Sequence, residues 1–386
     1  MNHADLPVTS PETPLCSGEA LLAAVRALAA GPLAGRAEAI DRGAYPKDLL
    51  QELAALGAMS AHLDSPAGPG DYGLAIRAMA EVSRVCGATG FMMWCQVVCG
   101  LYLQQSGNAA LTGAVLSRHV RGDGMGGTGL SNPMKSYAGI EELLLKATPV
   151  PGGYVVNGSL PWVSNLSGDH YCGAIAAVQG SVAEGESGTR ELMFLLRCDN
   201  PGVTLRRCPG FSGMEGTATF AVSLKNHVVG VKEIIADPAR PFIARIRAGF
   251  VMLQCGMAVG VAQGSIDSML AVEARLGHVN QFLDDRPAAL QAELDALTDC
   301  VMKLALTPMD ESPVFFARVL AARADGAELC LRAAQSALMH QGARGYLMRS
   351  PVQRRVRESH FVAIVTPAIK HLRKEIARMA EEETSA

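Results

Sequence analysis

From Glu19 to Arg118 apolar residues recur every three or four positions, in Glu19–Ala30, Lys47–Leu56, Leu74–Val85 and Thr89–Gln105. That spacing predicts helices with one buried face. Gly57, Pro66–Gly70 and Gly107 interrupt them. From about Gly122 to Val231 the texture changes. Glycine becomes dense, and Glu142–Val150, Gly153–Ser164, His170–Val178, Glu191–Arg197 and Ala218–Val229 read as strands. Pro151-Gly152-Gly153 and Asn200-Pro201-Gly202 are turn signals, and Asn157-Gly158 reads as a hairpin turn. From about Ala236 the helical period returns in Ile246–Leu276, Arg286–Ala305 and Pro313–His340. A last helix is predicted to start at Thr366-Pro367, with Thr366 as its N-cap. The chain thus divides into a flexible arm (1–18), a helical domain (19–119), a β domain (120–234) and a helical bundle (235–386). The fold class is α+β, mostly helical.

Composition narrows the function. Of 386 residues 49% are apolar and 18% charged, and the net charge is -3. That supplies a large core but no basic excess for nucleic acid. The first 18 residues have no positive start followed by an apolar run, so no secretory signal is expected. The most apolar stretches, Gly87–Leu103 and Gly249–Ile266, contain Gln96, Gln254 and Gln263 and read as buried helices, not membrane spans. Ten scattered cysteines form no CxxC or Cys/His set, so no metal is expected and a reducing, cytoplasmic location is.

Gly124-Met125-Gly126-Gly127-Thr128-Gly129 matches G-x-G-x-x-G. A dinucleotide fingerprint needs a strand before it and a helix after it. Pro133 argues against the helix, so the segment reads as a flexible loop. Two motifs then stand out in the β region. They are Gly129-Leu130-Ser131-Asn132-Pro133 and Asn157-Gly158-Ser159-Leu160-Pro161-Trp162-Val163-Ser164-Asn165. Here the sequence resembles the acyl-CoA dehydrogenase family, whose V-T-E-P and N-G-x-K-x-W-I-T-N segments lie against one face of a flavin. The resemblance covers about residues 20 to 380. It implies an N-terminal helical domain, a central β-barrel domain and a C-terminal four-helix bundle. It also implies bound FAD, with FMN as the alternative, whose ring is lined by Leu130, Ser131, Trp162, Val163 and Ser164. An indole gives such a ring apolar contact, and hydroxyls bond its polar edge.

Further matches follow. Gln341, Gly342, Arg344 and Gly345 resemble the end of the family's Q-x-x-G-G-x-G-[FY] segment, which meets the dinucleotide across a subunit boundary. Ser350-Pro351-Val352-Gln353-Arg354 resembles its continuation, although Met339 replaces the Gln. Gly213–Thr219 resembles a strand entry with Glu215 in place of Arg. Arg275–Leu283 resembles the segment holding the adenine end, with Phe282 kept and Val279 replacing Arg. A homodimer or homotetramer is implied.

The pattern departs at the chemistry. Family members remove an α proton with a Glu beside the flavin. Thr366 occupies the usual Glu position and Phe250 the alternative one. Both are expected at the substrate pocket, and neither is a base. Three functions stay open. The first is oxidation of an acyl-CoA, a carrier-bound acyl group or a similar small substrate, with electrons passed to an electron-transfer flavoprotein. The second is monooxygenation with O2 and reduced flavin from a reductase, with Ser164 and His360 as candidate donors. The third is flavin binding without turnover. His360 also reads as an ordinary helix-surface or core histidine.

Overall fold

The structure is a computed structural model that describes residues 18–182 and 189–385. The arm assigned to residues 1–18 therefore lies, except for Gly18, outside the described residues. The first helices are α1 (Gly18–Leu28), α2 (Ala34–Asp41), α3 (Lys47–Ala55), α4 (Tyr72–Val85), α5 (Gly87–Gln105) and α6 (Leu116–Val120). Strand β1 (Gly126–Thr128) and helix α7 (Ser131–Tyr137) lead into β2 (Leu145–Val150), β3 (Gly153–Val163), β4 (Tyr171–Val182), β5 (Thr189–Arg197), β6 (Val203–Arg207), β7 (Phe220–Gly230) and β8 (Ile234–Ala236). The chain ends in α8 (Ala239–Leu253), α9 (Cys255–Asn280), α10 (Pro287–Leu304), α11 (Pro313–Gln341), α12 (Pro351–Ile364) and α13 (Ile369–Ser385).

The helical part shares one core. Helix α5 is buried all round from Gly87 to Leu103, which explains its uniformly apolar sequence. Helix α9 carries Gly256, Gly260 and Gly264 one turn apart. A Cβ on Gly260 would stand 2.3 Å from the Ala80 carbonyl oxygen, and one on Gly264 2.2 Å from that of Arg84. Glycine there lets α9 lie directly on the backbone of α4. The run Ala239–Asn280 is long and apolar enough to cross a membrane, as is Gly18–Asp41, but 78% of the former's most apolar window is buried in protein. Core packing accounts for its composition.

The eight strands follow the order β6-β7-β3-β2-β4-β5-β8, with β1 pairing parallel to β4. The sheet wraps a separate apolar cluster that draws on β2, β3, β4, β5 and β7, including Leu145, Val156, Val163, Phe194 and Val222. Pro151-Gly152 makes the turn between β2 and β3, with Gly152 at φ 84°. Asn157-Gly158 makes no turn. Gly158, at φ 132°, sits at a register shift between β3 and β7, and the Asn157 side chain accepts from the Asn226 N–H at 2.8 Å. The extra residue is in β7, where Lys225 and Asn226, the latter at φ 50°, face Asn157 alone, so Asn-Gly lies opposite a bulge and inside one long strand.

Two other expectations are corrected. Pro133 does not prevent a helix, because it falls in the first turn of α7, where no N–H is missed. Thr366 is not the N-cap of the last helix, which begins at Ile369.

Candidate functional site

The glycines from Gly124 to Gly129 are close-packing positions rather than a flexible loop. A Cβ on Gly126 would lie 2.6 Å from Cys99 Sγ, and one on Gly127 2.5 Å from the Ser164 carbonyl oxygen. One on Gly129 would lie 3.0 Å from Leu160. The glycines therefore press the two β-region motifs together. Buried polar groups hold the segment. Gln96 accepts from the Gly126 N–H at 2.6 Å and donates to the Gly124 carbonyl at 3.0 Å. Asn165 donates to the Gly126 carbonyl at 2.8 Å and accepts from the Tyr45 hydroxyl at 2.7 Å. His119 Nε2 donates to the Gln96 carbonyl at 2.8 Å, so Nδ1 is the acceptor for the Tyr171 hydroxyl at 2.9 Å. Burial lowers the His119 pKa from 6.5 to about 4, which keeps that ring neutral. None of these supports except Asn165 belonged to a recognised motif. The signal was polar residues inside an otherwise apolar helix.

Strand alternation separates the residues of the second motif. Trp162 is 50% exposed, its ring 5.8 Å from Phe211 and tilted by 60°. Val163 is 1% exposed and belongs to the sheet's own core. Its side chain therefore lines no ring, and only its backbone is available. Leu130 is likewise 2% exposed within the helical core. Ser164 is buried, and its hydroxyl meets that of Thr219 at 2.6 Å, which meets that of Thr217 at 2.9 Å. Gly213–Thr219 is thus a support for the second motif. It forms a short 3-10 turn between left-handed Met214 and Ala218, and the Met214 N–H donates to Asp41 at 2.8 Å.

The third element is the segment after α12. The Thr366 hydroxyl bonds that of Ser131 at 2.9 Å, joining the first motif to the segment after α12. The Thr366 carbonyl accepts from Gln254 at 2.9 Å. Gln254 in turn accepts from Arg323 at 2.8 Å, and Arg323 also donates to the Val362 carbonyl at 2.5 Å. Arg323 is fully buried and its Nη1 has no partner among the described residues. Burial pulls its guanidinium below the usual range. The Phe250 ring is packed 5.1 Å from Trp94 and 6.4 Å from Tyr102, as a core aromatic rather than an open pocket wall. His360 is exposed on α12 and lies outside this cluster. Burial pushes the Cys95 and Cys99 thiols up, so they stay protonated and are not nucleophiles.

Gln341, Gly342, Arg344 and Gly345 end α11. Gln341 donates to the Ser268 carbonyl at 2.8 Å, Gly342 takes φ 58°, Arg344 is exposed, and Gly345 is buried against Gln341. Among the described residues no hydrogen bond or ring contact ties them to Trp162 or Ser131. Phe282, Val279, Tyr346 and Met348 are 82%, 56%, 77% and 69% exposed near these turns.

The fit to a flavin is testable on this donor set. An uncovered indole offers a flat apolar face. The Ser131–Thr366 pair uses one hydrogen between two oxygens and leaves one O–H for a polar ring edge. Thr217 instead donates to the Met214 carbonyl, so Thr219 donates to Thr217 and Ser164 to Thr219, and that chain offers only acceptor lone pairs. The residues present fit such a ring.

Comparison with known proteins agrees. Residues 17–123 match the profile described as acyl-CoA dehydrogenase, N-terminal domain, and residues 252–366 the profile described as acyl-CoA dehydrogenase, C-terminal domain. Together these cover more than half of the chain. Benzylmalonyl-CoA dehydrogenase of Aromatoleum aromaticum is 25% identical over 350 residues, which are 86% of this chain and 89% of that protein. The structure of butyryl-CoA dehydrogenase from Megasphaera elsdenii superposes with a TM-score of 0.81 at 19% identity, over 97% of this chain and 99% of that one. Dibenzothiophene monooxygenase from Paenibacillus sp. A11-2 superposes with a TM-score of 0.76 at 15% identity, over 93% and 96%. The chain belongs to the acyl-CoA dehydrogenase family, a family of flavin-dependent oxidoreductases.

Proposed function

We propose that this protein is a flavin-dependent monooxygenase that uses O2 and reduced flavin delivered by a reductase, with FAD as the cofactor. The observation that carries the proposal is the chemistry at the two base positions. Thr366 has a neutral hydroxyl already bonded to Ser131, and Phe250 is a packed core ring. Neither takes a proton from an α carbon. Bound flavin supplies electrons and activates oxygen. The chain's own residues then have three tasks. Trp162 supports the ring, the Ser131–Thr366 and Ser164–Thr219 pairs bond its edge, and the packed aromatics around Phe250 exclude water. The exposed apolar residues near Gly342–Gly345 suit a homo-oligomer in which this turn meets a neighbouring subunit's cofactor.

The test begins with the visible spectrum of the purified protein and extraction of its cofactor. Anaerobic butyryl-CoA is expected to leave the flavin band unbleached. Reduced flavin with isotopically labelled O2 is expected to place label in a product from a panel of sulfur, nitrogen and aromatic compounds. Bleaching by the thioester would instead establish dehydrogenation. That second reading draws on benzylmalonyl-CoA dehydrogenase, which the chain matches along most of its length.

A further inference from the structure

A cavity of about 180 Å³ opens beside the Thr366 segment, between α7, α8, the start of α11, and α13. Pro367 and Met134 form the wall nearest the site, one residue from Thr366 and three from Ser131. Six polar residues line it, and four of them carry a buried atom without a partner among the described residues: Tyr137 Oη, Arg247 Nε, His371 Nδ1 and Glu375 Oε1. Buried polar groups are normally paired, and a set of orphans around one cavity signals a missing polar occupant.

The charges give its sign. Arg240 is paired with Glu191 at 2.5 Å and stacks 4.6 Å from the Tyr137 ring centre. Arg378 is paired with Glu382 at 2.5 Å and Glu375 at 3.2 Å. Arg247 makes no hydrogen bond or ion pair among the described residues and stacks 4.2 Å from the Phe316 ring centre. Its guanidinium is held below the usual range by burial and by Arg378, with Glu311 and Glu375 acting the other way. Glu311 and Glu375 act on Arg247 only at a distance, and a cation with no carboxylate bonded to it keeps its N–H groups for an anion from outside.

We propose that this cavity is the subsite for an oxyanion of the substrate, held by Arg247 with the Tyr137 hydroxyl as second donor. The oxyanion is a carboxylate of the substrate itself or a phosphate of a coenzyme A carrier. From the functional proposal it takes only that substrate lies against Thr366. Among the wall residues, Glu375 accepts N–H or O–H groups of the same ligand and repels a misplaced anion.

The test is binding to the purified full-length protein, without turnover, by calorimetry with benzoate, coenzyme A and inorganic phosphate. Tighter binding of benzoate assigns the oxyanion to the substrate, and tighter binding of coenzyme A assigns it to the carrier. Arg247→Met is expected to weaken the preferred probe about ten- to a hundredfold, the loss of a charge-assisted bond. Glu375→Gln is expected to tighten it. The unfolding midpoint of the unaltered protein should rise with the same probe, which keeps the test valid where a variant folds poorly. Binding unchanged within twofold in Arg247→Met, or no binding of any probe to the unaltered protein, overturns the proposal. These readouts do not involve flavin, so a cofactor-free preparation would sink the functional proposal and leave this one standing.

Discussion

The network around Gln96 and the network around Arg323 both end on the segment that carries Ser131, yet they are satisfied in different ways. Gln96, His119, Asn165 and Tyr171 are neutral and buried, and their bonds close on one another and on the backbone of β1. Arg323 brings a positive charge into the core with two bonds made, to Gln254 and Val362, and Nη1 left over. The first is a brace that fixes where the glycine-rich strand lies. The second places an incompletely compensated charge behind Thr366, one bond removed from its carbonyl through Gln254.

The sharpest way to break this contrast is to cut each network at its hub. Gln96→Ala strands the Gly126 N–H and the Gly124 carbonyl inside the core. At about 1–3 kcal/mol per unpaired group, it should cost about 3–5 kcal/mol in urea unfolding. Arg323→Met removes a buried charge that was only partly paired, and returned desolvation offsets the lost bonds. Its cost should be about 1 kcal/mol or less. Equal costs would show that the two networks are not different in kind.

The second prediction concerns acid. The folded His119 value of about 4 lies below the ordinary 6.5, so the unfolded chain takes up this proton first as pH falls. The contribution is complete above pH 6.5 and is lost on the way down to about 4. It amounts to about 3 kcal/mol at 1.36 kcal/mol per unit. His62, lowered to about 3 by burial, acts in the same direction. Unfolding free energy measured from pH 7 to 4 should therefore fall less steeply in His119→Gln than in the unaltered protein. Parallel curves would mean that His119 takes up its proton at the same pH in the fold as in the unfolded chain.

This contrast also explains what was legible in the sequence. Helix and strand periods announced the order of the elements, because burial of one face is a local pattern. The motifs at Leu130-Ser131 and Trp162–Asn165 were visible because they are contiguous. Long-range effects were not. The bulge that faces Asn157-Gly158 lies in β7, sixty-odd residues away, whereas the same Asn-Gly dipeptide in isolation favours a turn. Thr366 looked like a cap because Pro follows it, whereas its hydroxyl is taken by Ser131 and its carbonyl by Gln254. The orphan groups around Arg247 lie on α7, α8 and α13, and no single stretch of chain displays them together.

A smaller effect separates Thr366 from a true anchor. Thr366→Val keeps the shape and removes the bond to Ser131, a single half-buried hydroxyl pair. A loss of about 1 kcal/mol is expected, with the Gln254 bond to the Thr366 carbonyl unchanged. A loss near that of Gln96→Ala would place Thr366 in the brace rather than at an adaptable surface.

The smallest stability change belongs to the most telling position. Trp162 is half exposed and touches Phe211 at the surface of β3, so little of its ring is withdrawn from water in the protein alone. Trp162→Ala should shift unfolding of the cofactor-free protein by no more than about 0.5 kcal/mol, in line with surface substitutions. The same change should sharply lower the flavin retained through purification and quench the shift of the flavin band on binding, because the ring loses its apolar platform. Trp162→Phe should restore part of that retention, whereas Val163→Ala should instead destabilise the sheet through its own core. A flat indole that matters for holding cofactor and not for holding the fold is the signature of a surface kept open for a ligand. A Trp162→Ala protein that keeps its flavin would show that the indole has no such task.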